Sequence, residues 1–382
     1  MGWSINRPTG LTFHRPDRST KGYTLITPSS DRHAYLLDMD GRVVHRWTFD
    51  TIDPGYARIL DNGNLLMSGS DVNLPPPPED NPTEPPPPLE RHVTRLGGYK
   101  TTLLEVDWDG NVVWQYDNPF QHHDFIRLPN GNTMVPEWVE LNDELHDGVV
   151  GGHTLPDEQL PQLLGDDIVE VDPEGNEVRR IHTWELLDPE ADPIHPTKRR
   201  WEWTHVNAID VNSRGDIVFS ARTNNRIGVI DGQTGELTLK FTETHGQHHT
   251  TWVDDDHIQV FDNGLSSSRV LEIEVPSGEI TWKYEGRPVH QFFSNYISGA
   301  DRLWTGSVLV CEGSSGTVFE VNRAHEVVWE WINPFVNYRP KSGTPAVGIY
   351  RAHRYPADHV AFAGRDLDPD RFGNLNRLNG LV

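Results

Sequence analysis

Along the chain, short runs in which β-branched and aromatic residues alternate with polar ones are broken at close intervals by Asp, Asn, Pro and Gly. Six segments repeat one motif of this kind: "YLLDMDGRVVHRW" (35–47), "LLEVDWDGNVVWQY" (103–116), "IVEVDPEGNEVRRI" (168–181), "IGVIDGQTGELTLKF" (227–241), "VLEIEVPSGEITWKY" (270–284) and "VFEVNRAHEVVWEW" (318–331). Each reads as a β-hairpin, two β-rich runs about a polar turn that usually carries glycine. A further strand is predicted ahead of every hairpin, at 23–28, 64–70, 132–138, 216–222, 257–263 and 307–313. A leading strand stands before five of these, at 56–60, 122–128, 205–211, 248–253 and 296–303. Four up-and-down strands written six times predict an all-β fold, a six-bladed β-propeller of four-stranded antiparallel blades.

The first unit lacks a leading strand, whereas "YRAHRYP" (350–356) has no partner at the other end of the chain. It is expected to close the ring as the missing inner strand, which removes open sheet edges. "GLTFH" (10–14) is the alternative for that slot. One domain over 1–356 follows, with a polar C-terminal tail over 357–382. Strand parity places the start of each leading strand on the same face as the connections between second and third strands. The long insertions, the proline-rich 73–98 and the segment 139–167, are of that second kind and should crowd one mouth of the ring, together with 188–203. The polyproline runs read as stiff spacers or as ligands for a partner.

Composition narrows the partners. With 33 Lys+Arg against 57 Asp+Glu, the net charge of -24 repels nucleic acid and anionic membrane surfaces, so neither is expected as a partner. Cys311 is the single cysteine, which rules out an intrachain disulfide and a cysteine-rich metal site. The start "MGWSINRPTG" does not read as a secretory leader and no run is long and apolar enough for a membrane span, so a cytoplasmic location is expected.

The candidate chemistry lies at the mouth just identified. His122 and His123 open one leading strand, His205 the next, His248 and His249 the next, while His353 lies in the closing strand and Arg222 ends a second strand beside His205. By contrast His33, His45, His92, His146, His153, His182, His195 and His325 are expected at ordinary surface or loop positions. Imidazoles converging from several blades can ligate a transition metal. Alternatively, one can attack an electrophile while its neighbours and an arginine stabilise the anion being transferred.

The segments "HHDFIRLPNGN", "WTHVNAIDV", "FSARTNNRIGVID" and "QHHTTWVDDDHIQVFDNG" resemble, in order and spacing, the motifs of bacterial aryl-sulfate sulfotransferases. The resemblance spans about residues 10 to 356 and suggests a short intracellular relative. It implies transfer of a sulfuryl group from an aryl sulfate to a phenol, without a nucleotide donor or other cofactor, the partner being a small aromatic molecule. It implies that His248, directly after Gln247, is transiently sulfated, with His123, His205, Arg222 and Asn207 in support. His122, His249, His353 and Trp203 are candidates for contacting substrate.

Two other readings of the same fold stay open. One is a metal enzyme whose ligands would be His123, His205, His248 and His353; the other is a binding module without catalysis. A further candidate is "TKRRWEW" (197–203), where Arg199 and Arg200 either draw an anionic aromatic ligand to the mouth or pair with surface carboxylates.

Overall fold

The computed structural model describes residues 8–338 and 343–381. Most of its strands form six antiparallel sheets arranged as a ring, a six-bladed β-propeller, with two two-stranded ribbons outside the blades. The inner strands are Ile349–Pro356, Ile52–Ile59, Ile126–Arg127, Val206–Val211, His248–Asp254 and Gly299–Arg302, for blades 1 to 6 in turn. Ring closure comes from both ends of the chain. Ile349–Pro356 pairs with Gly22–Pro28 as the inner strand of blade 1, the role expected of it. Gly10–His14, the alternative for that slot, instead pairs with Val327–Ile332 and makes blade 6 five-stranded at its outer edge.

Alternation along each strand buries one apolar row against each neighbouring blade. Six apolar cores result, one per blade interface: Leu25, Trp47 and Leu65 pack between blades 1 and 2, for example, and Leu309, Trp329 and Ile349 between blades 6 and 1. The turns of the hairpins are closed by aspartates, as where Asp107 Oδ1 accepts from the backbone N–H of Asp109 and Asn111, and Gly110 takes the positive φ the turn demands. His45 and His92, expected at the surface, are buried: His45 stacks on Trp108 with ring centroids 4.0 Å apart, and His92 lies edge-on to Trp201 at 5.3 Å.

The long insertions cover the mouth that strand parity assigned to them. Gly98 O accepts from the backbone N–H of His123 at 2.9 Å, Trp203 N donates to Leu164 O at 2.8 Å, and Gln159 N donates to Pro82 O at 2.8 Å. This layer has its own apolar clusters, around Trp203, Ile194 and Leu163 and around Trp138, Leu96 and Leu164. Residues 357–381, expected as a polar tail, lie against blade 1. Phe362 and Leu381 join apolar cores, and the Asn376 side chain bonds both N and O of Val43, at 2.9 and 3.2 Å.

Candidate active site at the loop-covered mouth

At the head of the inner strands the backbone repeats an unusual turn. His123, His205, His249 and Ser298 all have positive φ, and each is the second residue of a leading pair, His122-His123, Thr204-His205, His248-His249 and Ile297-Ser298. Such a conformation costs a side-chain-bearing residue about 1–3 kcal/mol and is retained where the surroundings enforce it. His248 is therefore the first member of its pair, in the position of His122, and not that of His123 and His205.

Three imidazoles, His123, His205 and His248, have the same arrangement. Each is tied outward through Nδ1: His248 to Asn263 Oδ1 at 2.7 Å, His205 to Glu202 Oε2 at 2.7 Å, and His123 to His122 Nδ1 at 2.7 Å. The Asn263 amide donates to Ser294 O and Ile297 O at 2.7 and 3.0 Å, which fixes its oxygen toward His248. His248 must then carry its proton on Nδ1 and hold a lone pair on Nε2. Glu202 Oε2 also accepts from Trp138 Nε1 at 3.0 Å, and Trp138 stacks on His122 at 4.1 Å. Behind His122, Asp166 approaches its Nε2 to 2.8 Å.

Burial and the cation of Arg222 hold the His248 imidazole well below its ordinary pKa. Burial and the neighbouring imidazoles do the same to His123, and burial lowers His205 against the pull of Glu202. The rings of His123 and His205 are 4.5 Å apart, and the charge of Arg222 is felt by all three histidines. The Arg222 guanidinium has a buried Nε without a partner, and burial draws down its pKa. Lys198 stands near it, lowered to about 8 by burial and by Arg222. Neutral imidazoles beside two cations that no hydrogen bond or ion pair holds among the described residues form a site suited to an anion.

The other expected residues serve different ends. Asn207 Nδ2 donates to Gln247 O at 2.8 Å, so it positions the segment before His248, while its own carbonyl accepts from Arg351 at 2.7 Å. Trp203, expected to contact substrate, is fully buried in the loop layer with its indole N–H on Asp192 O at 2.7 Å, because apolar neighbours such as Leu141, Val149, Leu163 and Ile194 enclose it. In the basic segment, Arg199 pairs with Asp80 at 3.0 Å and with Glu158, and Arg200 donates to Val149 O and His146 O at 2.7 and 3.0 Å. Both arginines are thus spent within the layer, and Lys198 is the cation of that segment beside Arg222.

His249 and His353 belong to a second group. His353 Nδ1 bonds Asp301 Oδ2 and its Nε2 bonds Tyr56 Oη at 2.8 Å, while Arg58 Nε donates to the same phenol oxygen. Among the described residues, the trio of potential metal ligands lying within 4.8 Å of one another is His249, Asp301 and His353, so the four histidines expected as one ligand set do not form it. His249 Nδ1 accepts from Ala300 N–H at 3.1 Å, which leaves its proton on Nε2, facing Asp301 Oδ1 at 3.6 Å. A metal on that nitrogen would have to displace the backbone bond. Tyr56, Tyr350, Arg351 and Asp124, joined by an Arg351–Asp124 pair at 2.8 Å, complete the channel wall. Nothing in the local pattern marks them, since tyrosine or aspartate in a β-strand reads as packing or turn chemistry.

Residues 13–243 match the family model described as Arylsulfotransferase (ASST). No curated protein matches the chain. Among solved structures it is similar to a protein of unknown function from Bacteroides caccae, at 13% identity and a TM-score of 0.54, over 88% of this chain and 99% of that one. It is also similar to virginiamycin B lyase from Staphylococcus aureus, at 15% identity and a TM-score of 0.43, over 85% of each chain. The first likeness speaks to the fold alone, and the second is too loose to carry even that.

Proposed function

The chain belongs to the arylsulfotransferase family, and from that premise we propose that it transfers a sulfuryl group between phenolic compounds through His248. The observation that carries the reading is the tautomer of His248: a neutral imidazole, proton on Nδ1 against Asn263, lone pair on Nε2, near the guanidinium of Arg222, whose buried Nε has no partner among the described residues. A nucleophile must be deprotonated at the attacking atom, and the neutral Nδ1–H tautomer of His248 supports that role for Nε2.

The sulfuryl group spreads negative charge over three oxygens, which Arg222 and Lys198 are placed to stabilise. An anionic substrate also raises the proton affinity of its imidazole neighbours. His205 is the one backed by a carboxylate, Glu202, so it is the group to take up that proton. The Nε2 lone pair of His248 forms the N–S bond as the S–O bond to the aryl oxygen breaks, and the aryl oxygen leaves with the proton of His205. His123, tied through His122 toward Asp166, assists as a hydrogen-bond partner. A second phenol then attacks sulfur and returns its proton to His205, regenerating His248.

Brief exposure to 4-nitrophenyl sulfate, followed by acid quench and peptide mass spectrometry, tests this. One added sulfuryl group on the peptide containing residues 247–251 is expected, absent from His248→Ala, together with a burst of nitrophenol. Nitrophenol release without an adduct, or release undiminished in His248→Ala, would exclude His248 as the carrier.

A further inference from the structure

The cavity beside His123 offers more than the transfer step requires. It encloses about 260 Å³ and runs from His123 and Gly98 past Tyr56 and Tyr350 to Lys100. Two glycines open it. A Cβ at Gly98 would meet the His123 ring at 2.1 Å, and a Cβ at Gly55 would meet Cε and Nζ of Lys100 at 2.3 and 2.7 Å. The places where the chain lacks a side chain are those against which the imidazole and the ammonium lie.

Among the described residues no hydrogen bond or ion pair holds the Lys100 ammonium; the carboxylate whose field reaches it, Asp53, is exposed at the cavity edge. Burial works against the ammonium and lowers its pKa. A half-buried cation without a protein acceptor forgoes charge-assisted hydrogen bonds that an incoming anion would supply. Ser29 and Ser30, also on the cavity wall, add hydroxyl donors. In a chain of net charge -24 the long-range field does not attract anions, so selection for one must come from such a local cation. The volume lies below the ~300 Å³ at which pockets for larger ligands begin, which suits a single aromatic ring lying against Tyr56 and Tyr350 on the cavity wall.

Building on the transfer reading above, we propose that this cavity holds the ring of an aryl substrate that carries a carboxylate as its second anionic group, and that Lys100 determines this specificity. The test pairs 4-carboxyphenyl sulfate with its near-isosteric neutral analogue, 4-carbamoylphenyl sulfate, and adds 4-(ammoniomethyl)phenyl sulfate. The wild-type protein is expected to favour the carboxylate over the amide by about tenfold or more in kcat/KM, the scale of one hydrogen bond to a charged group. The ratio should fall to near one in Lys100→Met and persist in Lys100→Arg. A ratio near one in the wild type, an unchanged ratio in Lys100→Met, or preference for the ammonium compound overturns the proposal, and the wild-type comparison decides even if the variant fails to fold. Calorimetry with 4-hydroxybenzoate and 4-hydroxybenzamide separates this from the transfer chemistry. Tighter binding of the carboxylate, lost in Lys100→Met, supports the subsite even where no aryl sulfate is turned over. Equal turnover of both esters with a His248 adduct would sink the subsite and leave the transfer reading standing.

Discussion

Asn263 shows how a single amide can set the chemistry of an imidazole. Its two N–H groups are committed to Ser294 O and Ile297 O, so its oxygen has one orientation and His248 one tautomer. Asn263→Ala removes that constraint and leaves the buried Nδ1–H without an acceptor. A loss of about 1–3 kcal/mol in stability is expected from the unsatisfied group. A fall in kcat of roughly tenfold or more should accompany it, with KM little changed, because the lone pair is no longer confined to Nε2. Equilibrium unfolding and steady-state kinetics on the same variant check both; a stability loss with kcat intact would make Asn263 structural alone. The sequence made His248 visible through its neighbours Gln247 and His249, yet Asn263 is fifteen residues away in an Asp-Asn-Gly turn that reads as turn chemistry. Trp203 misled for the opposite reason. An aromatic residue near a mouth reads as a ligand platform, but the insertions that bury it are irregular segments whose packing has no period to follow.

At the scale of the strand, closure depends on Ile349–Pro356, which carries both the seam between the first and last blades and part of the channel. Arg354 on this strand pairs with Glu320 of blade 6 at 2.5 Å, and both side chains are fully buried. Glu320 further accepts from Thr20 N and Oγ1, at 2.9 and 2.8 Å. Arg354→Leu leaves a buried carboxylate without its cation, and a loss of about 3–5 kcal/mol is expected. The double variant Arg354→Leu with Glu320→Leu should recover part of it, since no lone charge remains; chemical denaturation of the three proteins checks this, and a single variant as stable as the parent would refute the seam argument. The closing strand was legible because an unpaired β-run at one end and a missing strand at the other leave one economical solution. That Gly10–His14 adds to the outer edge of blade 6 was not, because an alternating five-residue strand fits an inner or an outer edge equally well.

Across the whole molecule, two responses to acid oppose each other, and their magnitudes decide the outcome. The chain carries a net charge of -24, so protonating surface carboxylates relieves self-repulsion and favours the folded state. Against this stand buried imidazoles. Burial pushes His45 and His92 to about 4, and holds His123, His248 and His249 well below the ordinary 6.5. For such a group the unfolded chain takes up its proton first, so between about pH 6.5 and the folded value the unfolded state binds more protons and stability falls as pH falls. Each histidine contributes up to about 1.4 kcal/mol per pH unit in that window. Three carboxyls that burial raises act in the other direction, Asp210 to about 6 together with Asp38 and Glu137, but they stand against five imidazoles. Surface repulsion is screened by salt whereas the buried groups are not. At roughly 0.5 M salt, with a Debye length of about 4 Å, the thermal midpoint is therefore expected to drop steadily from pH 7 to pH 5. His92→Phe should show a shallower drop, because the residue that couples unfolding to proton uptake is gone while an aromatic ring still meets Trp201. A midpoint that is flat or rises over this range at high salt would show that the buried imidazoles do not govern the acid response.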